Sequence, residues 1–372
     1  MSETVLLSSL TTLGVGGPAR NYVEAATEPD IIAAVRAADS AGEPLLIVGG
    51  GSNLVISDQG FEGTVLKIAS QGYAVNAEDS CGGASVVVQA GHNWDDFVHQ
   101  SVLHAWSGLE ALSGIPGSTG ATPVQNVGAY GADVSQTIAA VRVWDRENNA
   151  VHTFTNHELK FGYRDSIIKA TTVNGSPRYV VLTVEFQLLL GRMSAPVKYA
   201  ELARRLGVDV GKRANSLELR RTVLALRASK GMVLDPADRD TFSTGSFFTN
   251  PVVPANVAHA LPLDAPRWPA GEDGGLVKLS AAWLIEHAGF AKGYGLAGEL
   301  AAGGLAGGLA GGNNHAGAPR ASLSTKHTLA VTNRGGAAAE DILAVAREVR
   351  NGVERKFNIT LHPEPVLVGC SL

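Results

Sequence analysis

Two glycine-rich segments carry the first chemical signal in this chain. Gly49-Gly50-Gly51-Ser52-Asn53 follows the apolar run Leu45-Leu-Ile-Val48 and precedes Leu54-Val-Ile56. Three consecutive glycines let several backbone N–H groups converge on one oxygen-rich group, which is an anion-binding arrangement. A tight hairpin is the competing reading, and the segment alone leaves both open. The second segment runs Ser113-Gly-Ile-Pro-Gly-Ser-Thr-Gly-Ala-Thr-Pro-Val-Gln-Asn-Val-Gly-Ala-Tyr-Gly131. Nineteen residues of this composition are uncommon as a mere connection inside a compact domain, and they suit a loop that wraps a diphosphate and a flat ring.

Other familiar patterns fail on their context. Gly293-Tyr-Gly295-Leu-Ala-Gly298 matches a dinucleotide-binding spacing, but a helix-like segment precedes it where that motif needs a strand. The 49–53 turn lacks the Lys-Ser/Thr of a P-loop, which leaves ATP or GTP chemistry of that kind unsupported. The chain has no HExxH or CxxC and its ten histidines are scattered, so no metal site is expected.

The elements that position these loops are readable in outline. Thr27-Glu-Pro-Asp30 has capping-box logic, and Ile31, Ile32, Val35 and Ala38 recur at helical spacing, so a helix is predicted to about Gly42. Strand, glycine turn and strand follow over 45–56. Alternation over 65–90 and apolar runs at 141–144 and 179–189 predict further strands, hence an α+β sheet domain to about residue 190. After a break at Gly191–Pro196 come helix-like stretches at 199–207 and 216–228, Pro-rich loops at 251–269 and a helix at 279–288. A final helix, Asp341 to Phe357, puts Ile342, Val345, Ala346, Val349, Val353 and Phe357 on one face. Gly303–Gly312 is a four-residue repeat, read as part of a flexible Gly/Ala-rich insertion at about 294–320.

Composition sets the frame around these features. At 372 residues with 45% hydrophobic and 17% charged positions, the chain reads as a globular protein of two or three domains. Thirty Lys and Arg against 35 Asp and Glu give −5, which argues against nucleic acid while allowing a local basic pocket for a phosphorylated metabolite. Cys81 and Cys370 are the only cysteines, so a disulfide framework is ruled out and a cytoplasmic location is expected. The first residues lack the basic and apolar regions of a signal peptide, and no apolar run approaches the ~20 residues of a membrane span, so no membrane insertion is expected.

A wider set of segments resembles a known family. Thr12-Leu-Gly-Val-Gly-Gly-Pro18, Gly49-Gly-Gly-Ser-Asn-Leu-Val55, Gly108-Leu-Glu-Ala-Leu-Ser-Gly-Ile-Pro-Gly117, Pro123-Val-Gln-Asn-Val-Gly-Ala-Tyr-Gly131, Tyr163-Arg-Asp-Ser166, Gly245-Ser-Phe-Phe-Thr-Asn-Pro251, Ala282-Trp-Leu-Ile-Glu286 and Pro363-Glu-Pro-Val366 resemble, in order, the UDP-N-acetylenolpyruvoylglucosamine reductases. The resemblance implies an FAD-binding domain of the vanillyl-alcohol-oxidase (PCMH) type over 1–190, in subdomains of about 1–67 and 68–190. A C-terminal α+β substrate-binding domain over 191–372 would follow. It implies FAD and NADPH as cofactors, a UDP-sugar substrate, a monomer, and a role in peptidoglycan precursor synthesis.

The same resemblance assigns residues. FAD contacts would come from Gly49, Gly50, Gly51, Ser52, Asn53, Leu54, Ser113, Gly114, Ile115, Pro116, Gly117, Gly120, Ala121 and Gly128. Arg164, Ser246 and Glu364 would be catalytic; Arg227 and Lys230 would meet the substrate phosphates, Asn250 the uridine or phosphate, and Tyr130 and Tyr199 would pack on the substrate. The chemistry suits these types. Hydride delivered to the terminal enolpyruvyl carbon leaves charge on the α-carbon and carboxyl oxygens, which a guanidinium fork and a neighbouring acid stabilise. A hydroxyl then protonates the carbon, with Lys230 or water as alternative donors. The chain departs from the family between Gly289 and His327, where a brief connector is expected. A flavin oxidase acting on a small hydroxy acid or alcohol would leave Arg227, Lys230 and Gly245-Ser-Phe-Phe unexplained. A non-catalytic binder would lack Arg164, Ser246 or Glu364, and all three are present.

Overall fold

A computed structural model describes residues 4–173, 175–271, 274–296 and 318–372. The Gly303–Gly312 repeat, most of the expected insertion and Gly298 lie outside the described residues. The chain packs into two compact units: Met1–Val5, Pro18–Ser52 and Phe61–Val233 form the first; Leu6–Gly17, Asn53–Gly60 and Leu234–Leu372 form the second.

In the first unit a parallel three-stranded sheet has the order Ala19–Ala25, Phe61–Ile68, Leu45–Val48. Beside it runs the helix Glu28–Ala41, begun where the Thr27 hydroxyl accepts from the Asp30 amide at 3.3 Å and ended by Gly42 at φ 65. Ile31, Val35 and Ala38 are its buried face. The two strands flanking Gly49–Asn53 do not form a hairpin. Leu45–Val48 pairs in parallel with Phe61–Ile68, and Leu54–Ile56 pairs in parallel with Val366–Val368. The unbroken apolar run Leu-Leu-Ile-Val is what a parallel strand covered on both faces needs, and it lacks the alternation of a hairpin arm.

An antiparallel sheet follows, in the order Ala150–Thr155, Ile138–Asp145, Tyr179–Leu190, Gly83–Gln89, Tyr73–Asp79. The helix Trp94–Leu103, capped by Asn93, packs Trp94 and Phe97 against Phe186. That helix was not foreseen, although Trp94, Phe97, Val98 and Val102 recur at helical spacing. The helices Ala200–Leu206 and Ser216–Ala228 bury Leu202, Leu219, Val223 and Leu226 in a cluster that also takes in Ala111 and Tyr130.

The second unit is centred on the helix Ala339–Phe357, whose Ile342, Val345, Ala346, Val349 and Val353 are buried. They pack with Leu284 and Ile285 of the helix Ala281–His287, with Leu323 and Val331, and with Phe247 and Phe248. The Pro-rich 251–269 stretch is not all loop. It contributes the strands Val252–Pro254 and Arg267–Ala270, the two edges of a sheet centred on Leu276–Leu279, and the short helix Ala255–His259. Pro254 and Pro269 are tolerated because edge strands leave an unpaired side for a residue without N–H.

Candidate active site

The glycines of the two loops are explained by how closely the loops approach. A Cβ on Gly50 would collide with the Gly117 Cα and stand 2.8 Å from its carbonyl carbon and 3.2 Å from the Ser118 nitrogen. One on Gly49 would strike the Ser118 hydroxyl. Gly51 and Gly117 hold φ of 62 and 125, a region that side chains disfavour. Ser52 Oγ donates to the Pro116 carbonyl at 3.0 Å, fastening one loop to the other. The Lys67 ammonium donates to the Gly49 carbonyl, and burial pulls its pKa below the ordinary lysine value.

The far end of the second loop is fixed by backbone. The Thr119 amide donates to His92 O and the Gly120 amide to Ala90 O, both at 2.8 Å, and Gly120 lies against Ala90 with no room for a side chain. The Ala121 amide closes the turn onto Ser118 O. At the near end, Ser113 Oγ donates to Glu110 O at 2.7 Å and the Gly114 amide to Asp95 Oδ1 at 2.6 Å.

Between these anchors, the amides of Gly49, Gly50, Gly51, Ser52, Ile115, Gly117 and Ser118 donate to no protein acceptor among the described residues. These residues are buried or half-buried, and amides left without protein partners there are available to an anion. The arrangement fits the diphosphate of a dinucleotide such as FAD.

Arg164 lies in the same unit, in left-handed backbone at φ 56. Its guanidinium donates to Gly128 O at 2.6 Å and Asn126 O at 3.2 Å. Gly128 lacks the Cβ that would stand 3.1 Å from that guanidinium, so glycine there lets the arginine approach. Tyr130, also left-handed at φ 52, meets Tyr199 edge to face at 5.4 Å. Burial raises the pKa of both phenols, and the nearby Arg227 charge opposes it at Tyr130.

Arg227 is not an exposed helix end. It is 9% exposed, one guanidinium nitrogen donates to Met232 O at 2.9 Å, and its buried Nε has no partner among the described residues. Burial pulls its pKa below the ordinary value, against the pull of Tyr130 and Asp95. Lys230 stands 3.6 Å from the Glu201 carboxylate, whose charge is also felt at Tyr130. Tyr130, Tyr199, Arg227 and Lys230 therefore share one corner of the first unit.

Ser246 and Glu364 are brought together in the second unit. Phe248 bridges Pro363 in antiparallel fashion, the Glu364 amide donates to Phe247 O at 2.8 Å, and the Thr249 amide donates to His362 O at 3.1 Å. The buried Phe247 and Phe248 rings, edge to face at 5.2 Å, pin this ladder to the core. Asn53 Nδ2 reaches Glu364 O at 3.4 Å, and Leu54 is in register with Val366. Asn250 spends its Oδ1 on the Ala281 amide at 3.0 Å, at the start of the helix Ala281–His287.

Four residues at these sites were not picked out from sequence. Asp95, Lys67 and Glu201 carry no local motif, and the Thr244 hydroxyl, buried and without a partner among the described residues, sits two positions before Ser246. Among the described residues, no group of His, Cys, Asp and Glu is placed to hold a metal ion, and no helix is long and apolar enough to cross a membrane.

Comparison with known proteins covers the whole chain. The family described as "FAD binding domain" matches residues 19–154, and that described as "UDP-N-acetylenolpyruvoylglucosamine reductase, C-terminal domain" matches 235–368. A UDP-N-acetylenolpyruvoylglucosamine reductase of Cutibacterium acnes is 50% identical over 370 residues, covering all of this chain and 91% of that protein. One of Thermobifida fusca is 48% identical over 381 residues, covering 100% and 99%. The crystal structure of UDP-N-acetylenolpyruvylglucosamine reductase from Thermus caldophilus superposes with a TM-score of 0.60 at 25% identity over 98% of each chain.

Proposed function

The chain belongs to the UDP-N-acetylenolpyruvoylglucosamine reductase family, and from that premise we infer that it reduces UDP-N-acetylglucosamine enolpyruvate to UDP-N-acetylmuramate with NADPH, using FAD. The observation that carries this is the full-length identity of about half to reductases of that name. The enzyme is an FAD-dependent oxidoreductase of peptidoglycan precursor synthesis. We place it in the cytoplasm as a monomer, with FAD contacts drawn from 1–190 and substrate contacts mainly from 191–372.

When bound, FAD supplies hydride transfer between the nicotinamide and the substrate carbon. The chain's own residues do the rest. The unpaired amides of Gly49–Ser52 and of Ile115, Gly117 and Ser118 hold the cofactor diphosphate. Reduction of the enolpyruvyl double bond places negative charge on the substrate's α-carbon and carboxyl oxygens. The Arg164 guanidinium, presented by the Asn126–Gly128 backbone, pairs with that carboxylate, and Glu364 hydrogen-bonds the developing enolate. Ser246, tied beside Glu364 by the Phe247 ladder, donates the proton that completes the product. Arg227 suits a phosphate ligand because it is a buried cation with no carboxylate in contact among the described residues, and a phosphate beside it would offset the cost of that burial. Lys230, Asn250 through its Nδ2, Tyr130 and Tyr199 complete the hold on the sugar nucleotide.

The test is NADPH oxidation with and without the enolpyruvyl sugar nucleotide. Oxidation that depends on the sugar nucleotide, by a yellow protein that releases FAD on denaturation, supports the reading. NADPH consumption with oxygen as the acceptor, independent of the sugar nucleotide, would point to a flavin oxidase instead.

A further inference from the structure

Resting on the reading of Ser113–Ala121 as a cofactor loop and of Arg227 as a substrate group, we propose that Asp95 is a positioning residue that locks the cofactor loop to the helix carrying Arg227. Asp95 stands in the first turn of the helix Trp94–Leu103. Its Oδ1 accepts from the Gly114 amide at 2.6 Å. The same carboxylate takes both arms of the Arg220 guanidinium, at 2.6 and 2.8 Å. One charged group thus holds a loop amide and a helix side chain at once.

Arg220 and Arg227 are seven positions apart on the helix Ser216–Ala228, two turns, so they lie on one face, and both are buried. The loop and that face touch again at Gly114. With φ at 72 and no Cβ, it leaves room where a side chain would come within 2.8 Å of Leu224 and 3.4 Å of Arg227 Nε. A second strut fixes the start of the same helix. Glu110 accepts from the Gly108 amide at 3.1 Å on both oxygens and from Ser216 Oγ at 3.0 Å.

A bidentate fork sets distance and plane together, which a single hydrogen bond does not. Hydride transfer needs that accuracy, because a misplacement of about 1 Å between reacting groups costs on the order of 10²-fold in rate. The Asp95 charge also reaches the Arg227 guanidinium, where it favours the charged form against burial. Burial works against the Asp95 charge, but the Arg220 and Gly114 hydrogen bonds outweigh it and hold the carboxyl below its ordinary range.

Two substitutions separate positioning from plain stability. Asp95→Asn keeps an oxygen for the Gly114 amide and removes the charge that Arg220 faces; Arg220→Lys keeps the charge and removes the fork. The FAD dissociation constant is read from flavin fluorescence on reconstitution of the apoprotein, KM for the sugar nucleotide from turnover, and Tm from thermal unfolding. Positioning raises both constants together by roughly 10-fold in each variant, and Asp95→Asn/Arg220→Lys is no worse than the poorer single variant, as expected of residues that act as a unit. A lowered Tm with both constants within about 2-fold of the parent makes the pair structural only and overturns the proposal. Movement of one constant alone overturns the coupling as well. If Asp95→Asn does not fold, Arg220→Lys decides by the same criteria. Sugar-nucleotide-dependent NADPH oxidation by the parent enzyme tests the underlying reading separately, so an active parent with unmoved variants removes only this proposal.

Discussion

Gly50→Ala isolates the apposition of the two loops as the source of cofactor affinity. Gly50 does not occupy left-handed backbone, so alanine meets no conformational penalty there and the whole effect is steric. The new methyl would overlap Gly117 and stand 2.8 Å from its carbonyl carbon, whereas carbon contacts settle at about 3.5–4.0 Å. The loops must part by roughly 0.7 Å or more, which exceeds the ~0.5 Å within which a binding constellation tolerates displacement. Losing two amide hydrogen bonds to a charged diphosphate, at about 1.5 kcal/mol each, removes about 3 kcal/mol. That raises the FAD dissociation constant by roughly 10²-fold. Reconstitution of the apoprotein, followed by flavin fluorescence, measures it. Gly275→Ala is the control, because nothing lies within 4 Å of its Cβ position and its backbone is not left-handed. If Gly50→Ala binds FAD as tightly as the parent while Gly275→Ala is also unchanged, the contact between the loops is not what shapes the diphosphate site.

In Ser246→Ala, flavin reduction by NADPH proceeds at nearly the parent rate, while reoxidation by the enolpyruvyl substrate slows by at least ~10²-fold; cysteine restores part of it, and stopped-flow absorbance of the flavin reads both halves. Equal reoxidation in Ser246→Ala would move the donor role to Lys230, Glu364 or water. Gly352→Ala lowers Tm even though alanine favours the helix Ala339–Phe357 by about 1 kcal/mol, because its Cβ runs into the Phe290 ring and overpacking costs about 1–3 kcal/mol. A raised Tm would mean that the ring yields freely. The Arg178 hydrogen bonds hold Asp145 at about 2, against an ordinary 3.8. A depressed carboxyl stabilises the folded state above its unfolded pKa and loses that as pH falls through the folded one. The stability gap between the parent and Arg178→Gln, from urea unfolding at graded pH, is therefore constant above about pH 5 and narrows between about 4 and 2; a gap that does not narrow over that range refutes the assignment.

The parts of this fold legible in sequence are those whose cause is local. Thr27 and Asp30 cap a helix within one turn, and Ile342 to Val353 form a stripe along another, so short windows suffice. The glycine loops are legible for the same reason, since a chain that must turn sharply or approach another backbone shows it in its own composition. Partnerships are a different matter. Leu54–Ile56 reads as half of a hairpin until Val366–Val368 is seen beside it, more than 300 residues away. The helix Trp94–Leu103 has the right spacing, but it is a short window between a strand and the glycine loop, and its periodicity is easily masked by both. The stretches Leu6–Gly17 and Asn53–Gly60 pack with the C-terminal unit, which no composition shift announces.

The same division runs through the candidate site. Residue types at Arg164, Ser246, Arg227 and Glu364 stand out once their segments are compared with a family, but what each charge rests on does not. Arg227 illustrates the difference. From sequence it is one of two cations near a helix end, and an exposed pair competes with a role on the substrate phosphates. In the fold it is buried, its Nε has no acceptor among the described residues, and Asp95, the carboxylate whose charge reaches it, is hydrogen-bonded to Arg220. A buried guanidinium with no carboxylate in contact is unfavourable by itself, and a substrate phosphate beside it would offset that cost. The buried charge thus supports a binding role for Arg227 through a cost within the folded chain, an argument that does not depend on which relatives carry the same residue.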